Sequence, residues 1–275
     1  MAVNVSGNIR KMQVRLDHPV SYSLPLGNEA VALNEFIKKK ITLEFSGKIN
    51  CVHCGRNTNK SFSQGYCYPC FQKLAQCDSC IISPEKCHYE AGTCREPLWG
   101  DKFCMQDHIV YLANSSGIKV GITRASQVPT RWIDQGAVQA LPVFRVRTRQ
   151  QSGFIELLFK QHISDKTNWR IMLKGGIEEL DMEQHKQQLL KECAEDIQAM
   201  QDRFGIHAIS ILTGMHTVSI DYPVENYPTT VTSLNFDKTP KIEGTLQGIK
   251  GQYLILDTGV LNIRKFGGYD ITLTV

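Results

Sequence analysis

The sequence predicts an α+β protein, and three observations carry that prediction. Residues alternate between apolar and polar near both ends of the chain, as half-buried strands do. A helical stripe runs from Asp181 to Phe204, and nine of the ten cysteines fall between Cys51 and Cys104. Strands at the ends with a cysteine-rich insert and a central hairpin with helices suggest four stretches. These are N-terminal strands over 1–50 that pair with the C-terminal meander, a metal-binding segment over 51–107, a core with its following helix over 108–205, and a β-rich region over 206–275.

Met12, Val14 and Leu16 share one side of a first strand, for which Val20 to Leu26 is a candidate partner. Asn34 to Lys40 suits a short helix, and Ile41, Leu43 and Phe45 alternate with Thr42, Glu44 and Ser46 as another strand. These strands are too few to close a sheet alone. The far end, Lys241 to Val275, reads as a meander broken at Lys250-Gly251, Thr258-Gly259 and Gly267-Gly268, with Tyr253 to Leu256 central. The two sets are expected to form one small β-barrel or sandwich.

Cys51-x2-Cys54 and Cys67-x2-Cys70 are spaced as two knuckles that hold one structural zinc ion through four thiolates, as in a zinc ribbon. Each short turn aims two sulfurs at one point. Cys77, Cys80, Cys87, Cys94 and Cys104, with His88 and His108 nearby, are more candidates than a second four-coordinate ion needs. Spacing leaves open a set begun by Cys77 and Cys80, a set of Cys87, Cys94, Cys104 and His108, and the regular series Cys80, Cys87, Cys94 and Cys104. All-cysteine ligation also suits an iron-sulfur cluster.

Val110 to Ala113 and Ile118 to Thr123 are strands around the turn Asn114-Ser115-Ser116-Gly117, and Pro129 starts a helix that carries Arg131. Tyr111, the Gly121 of Lys119-Val120-Gly121-Ile122-Thr123, Arg131, Glu156 in Gly153 to Ile163, and Asn168 follow one another in an order that resembles the GIY-YIG nucleases. The resemblance covers about sixty residues of short motifs. Lys119 or Val120 stands where that family has its second tyrosine, and Gln135 where many members have histidine. With its upstream cysteines and Asp165-Lys166-Thr167-Asn168-Trp169-Arg170, the whole chain also resembles an uncharacterised bacterial family of unknown function.

The resemblance implies a small three-stranded sheet with helices and a phosphodiester-cutting site. Glu156 would hold magnesium, Arg131 would stabilise transition-state charge, and Tyr111 would take a proton once nearby cations, Lys119 among them, lower its pKa. Val143 to Arg149 alternates, which places Arg145, Arg147 and Arg149 on one strand face as a phosphate track for nucleic acid, or as an ordinary solvated face. Leu189, Leu190, Cys193, Ile197, Met200 and Phe204 form one apolar stripe, so Cys193 reads as a buried thiol.

A formal net charge of +4 permits an anionic partner without demanding one. The N-terminus lacks the apolar core of a signal peptide, and no apolar run approaches the roughly 18 residues that span a bilayer, so a cytoplasmic protein is expected. The leading expectation is a zinc-stabilised nucleic-acid-binding protein with a magnesium-dependent endonuclease site. The others are a binding module with a degenerate site, and an iron-sulfur or thiol redox protein.

Overall fold

The computed structural model describes residues 3–275. The N-terminal alternation gives β1 (Asn4–Asn8), β2 (Gln13–Arg15), β3 (Ser21–Leu26), β4 (Glu29–Ala32) and, after a 3-10 turn at Asn34–Phe36, the long β5 (Lys40–Ile49). Tyr22, Leu24 and Leu26 of β3 are buried while the residues between them are half-buried, which is the period of a strand with one face on a core. β2, β3 and β4 form a separate three-stranded antiparallel sheet in which Val14 faces Tyr22.

The cysteine-rich segment contains only short helices, α1 (Tyr68–Lys73) and α2 (Pro97–Phe103), separated by 3-10 turns. It is followed by the hairpin of β6 (His108–Asn114) and β7 (Ile118–Arg124), in which Tyr111 lies opposite Gly121. α3 (Thr130–Asp134), β8 (Gln139–Val146), α4 (Arg149–Phe159) and α5 (Trp169–Lys174) come next. All seven residues of β6 are buried, because β7 and β8 flank it and both its faces are covered.

The helical stripe is two helices rather than one, α6 (Met182–Glu192) and α7 (Ala194–Phe204), with the break at Cys193. The Asp181 carboxylate accepts from the Gln184 N–H at the start, and Gly205, at a φ of 94°, ends the second helix. Cys193 is buried in the stripe with Leu189 and Ile197. β9 (Ile209–Ile211) and β10 (Val218–Ser219) both add to β8 and complete an antiparallel central sheet.

β11 (Lys241–Lys250), β12 (Tyr253–Leu256), β13 (Gly259–Asn262) and β14 (Tyr269–Thr274) join β1 and β5 in one six-stranded sheet of order β1-β14-β5-β11-β12-β13. Leu43 pairs with Leu273 and Ile242 with Leu43, so β5 is the seam between the two chain ends. The expected closure into a barrel or sandwich does not occur. Short edge strands β1 and β13 end the sheet, and among the described residues no ladder joins them.

One apolar cluster joins Leu24, Leu43, Tyr111, Trp132, Leu254 and Leu273, and so runs from the terminal sheets to one face of the central sheet. The opposite face, through Val110, Leu112 and Val120, packs on Ile155 and Phe159 of α4 and on α6 and α7. The protein is thus a mixed α+β fold of several antiparallel sheets and helices. Neighbouring residues of β6 feed different cores, and that alternation turns Tyr111 towards α3.

Candidate functional site

The sulfurs of Cys51, Cys54, Cys67 and Cys70 lie within 4.8 Å of one another. Cys54 and Cys67 are 3.7 Å apart. Four ligands about 2.3 Å from one ion in a tetrahedron have edges of about 3.8 Å, so this set is already near the geometry of a thiolate site. Burial pushes the Cys51 thiol up, but the backbone N–H groups of Cys54, Cys67 and His53 donate to it, and it comes down to about 6. Burial and the neighbouring sulfurs push the Cys70 thiol up in turn, so the set holds its first negative charge on Cys51.

The remaining cysteines divide in space. Cys77 is buried near Ser63 and Cys51 and does not line the cavity that Cys80 lines. Cys80, Cys87, Cys94 and Cys104 line one small cavity with His88 and Trp99. Burial raises the Cys104 thiol to about 11, and the sulfurs of Cys87, Cys80 and Cys94 add to that rise against the pull of Arg149. A tighter group within the same region is Asp78, Cys80 and His88, whose ligand atoms lie within 4.8 Å.

His108 is not gathered with these thiols. Its Nδ1 sits 2.7 Å from the Gln106 carbonyl oxygen, and its buried Nε2 has no hydrogen-bond partner among the described residues. Burial lowers its pKa to about 4, with the Arg149 and Arg124 charges lowering it further and the Gln106 bond opposing, so the ring is neutral at pH 7.

At the hairpin, several expected residues do converge. The Tyr111 hydroxyl donates to Gln135 Oε1 at 3.0 Å, and the Lys119 ammonium donates to the same oxygen at 2.8 Å. Gly121 lies directly under the tyrosine, because a Cβ there would fall 2.7 Å from the ring carbon Cζ and from the hydroxyl oxygen. Arg131 on α3 and Glu156 on α4 are both close enough for their charges to act on the Tyr111 hydroxyl. The Glu156 carboxylate is 3.8 Å from Lys160, which also pairs with Asp165 at 2.8 Å.

The electrostatics differ from the expectation for a tyrosine base. Burial raises Tyr111 to about 12, and the charge and hydrogen bond of Arg131 only partly oppose it. Lys119 moves the other way. Burial first, and then Arg131, lowers it from 10.5 to about 8, despite the opposing charges of Asp165 and Glu156. Burial also raises Glu156, with Lys160 pulling it back and Asp165 pushing it further up. Of Tyr111 and Lys119, Lys119 is the group whose proton is easier to exchange near neutrality.

Asn168 has a structural part, and the arginine face is not formed. Asn168 sits at the N-terminus of α5, where its side-chain oxygen accepts from the Arg170 and Ile171 N–H groups, so it acts as a cap. Arg145, Arg147 and Arg149 do not share a strand face, because β8 ends at Val146. Thr148 and Gln151 close a reciprocal capping box that turns the chain into α4. Arg145 is paired with Asp107, Arg147 is exposed, and Arg149 points into the cysteine-rich segment, where it donates to the Ile81 carbonyl at 2.6 Å.

Sequence reasoning missed Gln135 as a shared acceptor and Arg149 as a strut. Gln135 had one signal, its position four residues after Arg131. No helix of the described residues is long and apolar enough to cross a membrane. No curated protein and no solved structure matches the chain. Residues 38–271 match a family described as "Protein of unknown function (DUF2797)". That match spans most of the sequence, and the chain therefore belongs to the DUF2797 family.

Proposed function

We propose that this protein binds nucleic acid through a GIY-YIG-like site that cleaves phosphodiesters with magnesium, on a scaffold stabilised by zinc at Cys51, Cys54, Cys67 and Cys70. One observation carries the reading. Tyr111, Lys119, Arg131, Gln135 and Glu156 come from two strands and two helices, yet they act on one another through hydrogen bonds and charge.

Glu156 is the carboxylate that would hold magnesium, with Asp165 across Lys160 adding negative charge nearby. A carboxylate held above its ordinary pKa by burial and a second acid gains from a cation, so the residues fit the ion. When bound, magnesium would supply charge neutralisation at a phosphate oxygen. Arg131 carries a permanent charge that stabilises the extra negative charge of the transition state. Lys119 takes the role of proton acceptor, since it is the group with a free base accessible near pH 8. Tyr111, packed on Gly121, holds Gln135 in place as the common acceptor.

A second reading, a binding module without cleavage, is favoured by the full burial of the Tyr111 hydroxyl and by lysine at the second tyrosine position. Cleavage of single-stranded, duplex and branched DNA and RNA, assayed with magnesium and with EDTA, separates the two. Loss of magnesium-dependent cleavage in Glu156→Ala with binding retained is the expected result. Binding by the wild type with no cleavage of any substrate would support the second reading, and absence of binding would end both.

A further inference from the structure

The segment from Cys51 to Asp107 contributes no side chain to any of the three apolar clusters of the described residues. Its large aliphatics Ile82 and Leu98 are 87% and 85% exposed. A stretch of 3-10 turns without an apolar core does not hold its shape by burial. The first thiolate set ties down residues 51–70, so residues 78–104 need another tie.

We propose that Cys80, Cys87, Cys94 and Cys104 hold a second zinc ion, and that this ion fixes the seat on which α4 rests. The four cysteines line, together with Asp78, His88 and Trp99 among others, a cavity of about 10 Å³, the space of roughly one water-sized sphere. They are spaced Cys80-x6-Cys87-x6-Cys94-x9-Cys104, and the intervening loops bring all four to the wall of that cavity.

The competing set of Asp78, Cys80 and His88 is tighter but already engaged. The Asp78 carboxylate accepts from Arg95 Nε at 2.8 Å and from the Ser79 N–H at 2.6 Å. Its Oδ2 also lies 3.4 Å from His88 Nε2, while His88 Nδ1 is 2.8 Å from the Thr93 hydroxyl. A divalent ion on Asp78 would sit against the Arg95 guanidinium and be repelled. Arg149 lies beside the four thiols, where its charge lowers Cys104 and Cys80, while its guanidinium is held by the Ile81 carbonyl.

The link to α4 runs through backbone atoms of the ligand loops. Arg149 N–H donates to the Cys104 carbonyl at 2.8 Å, and Gln150 Nε2 donates to the Cys87 carbonyl at 3.0 Å. Gly153 lies flat on the loop, where a Cβ would fall 2.6 Å from the Glu85 nitrogen. An ion that fixes Cys87 and Cys104 therefore fixes the acceptors that hold the first turn of the helix bearing Glu156. This proposal does not depend on the nuclease reading.

The test is metal analysis and X-ray absorption on the full-length protein as purified. About two zinc ions per chain are expected, in an all-sulfur shell at about 2.3 Å. Cys87→Ser and Cys94→Ser should each fall to about one ion and show faster amide exchange at residues 149–153, while His88→Ala keeps about two. One zinc per chain in the wild type, nitrogen or oxygen ligands at about 2.0 Å, or iron with acid-labile sulfide would overturn the second site. Loss of an ion in His88→Ala with retention in Cys94→Ser would move it to Asp78, Cys80 and His88. Unchanged exchange in α4 after the second ion is lost would remove its role as a seat. The wild-type measurements need no variant to fold.

Discussion

Replacing Lys119 by methionine should make the protein more stable and less active at once. Lys119 is 3% exposed, and among the described residues it has no carboxylate partner within ion-pair distance. Its ammonium has one hydrogen bond, to Gln135. Its pKa is about 8 when folded and 10.5 ordinarily, a difference that corresponds to about 3.4 kcal/mol against the folded state at pH 7. Methionine nearly matches the stem and removes the charge. Losing the Gln135 bond returns about 1 kcal/mol, so a net gain of about 2 kcal/mol is expected.

The sign with pH follows from the depressed pKa of a base. Below pH 8 both states carry the proton and the penalty is full. Between about 8 and 10.5 the folded chain has shed a proton that the unfolded chain keeps, so the wild type gains stability relative to Lys119→Met as pH rises. Guanidinium unfolding at several pH values from 7 to 10.5, followed by tryptophan fluorescence, measures the difference. Equal or lower stability of Lys119→Met at pH 7, or a pH-independent difference between the two proteins, would refute the reasoning. If Lys119 is the proton acceptor of the proposed site, magnesium-dependent cleavage should be lost in the same variant, a trade of activity for stability.

His108 gives the opposite test in acid: its neutral folded form contributes stability that is complete above pH 6.5 and is lost as pH falls through about 4, about 3.4 kcal/mol in all. Urea titrations at pH 7 and 4.5 should show a drop that is smaller in His108→Leu. Gly153→Ala should destabilise by about 1–3 kcal/mol, because its Cβ would meet the Glu85 backbone and the Pro84 ring rather than a side chain that can swing away. A thermal scan with an unchanged melting temperature would mean that α4 is not seated on the cysteine-rich loop as described.

What the sequence revealed and what it hid have physical reasons. Terminal strands and the Cys51, Cys54, Cys67 and Cys70 set are encoded by short-range patterns, a two-residue period and two close pairs, and these survive folding unchanged. The partition of Cys77 from Cys80 is set by where 3-10 turns point two neighbours, which spacing does not encode. The arginine face failed for a reason visible in the sequence. Thr148-Arg149-Gln150-Gln151 has the Thr-x-x-Gln pattern of a capping box, and that local signal ends the alternation begun at Val143. The break at Cys193 has no such signal, since neither glycine nor proline stands there.

The distribution of charge decides which surface is worth testing first. Arg145 is exposed and neutralised by Asp107, so its net attraction for a phosphate is small, and Arg147 stands in water where salt screens it. Lys119 and Glu156 are instead held at least partly out of water where the hairpin, α3 and α4 meet, and Arg149 beside them at the start of α4 against the cysteine-rich segment, each with a pKa moved by burial. Removing these groups from water opposes folding at each position, and apolar residues would serve the cores better. A fold that keeps a lysine, an arginine and a glutamate there retains an electrostatic field that binding an anion and a divalent cation would relieve. Neutralising Arg145 should therefore leave nucleic-acid affinity within about threefold, whereas Lys119→Met should lower it by about tenfold or more. Equal losses in filter-binding titrations would place the contact on the exposed strand end instead.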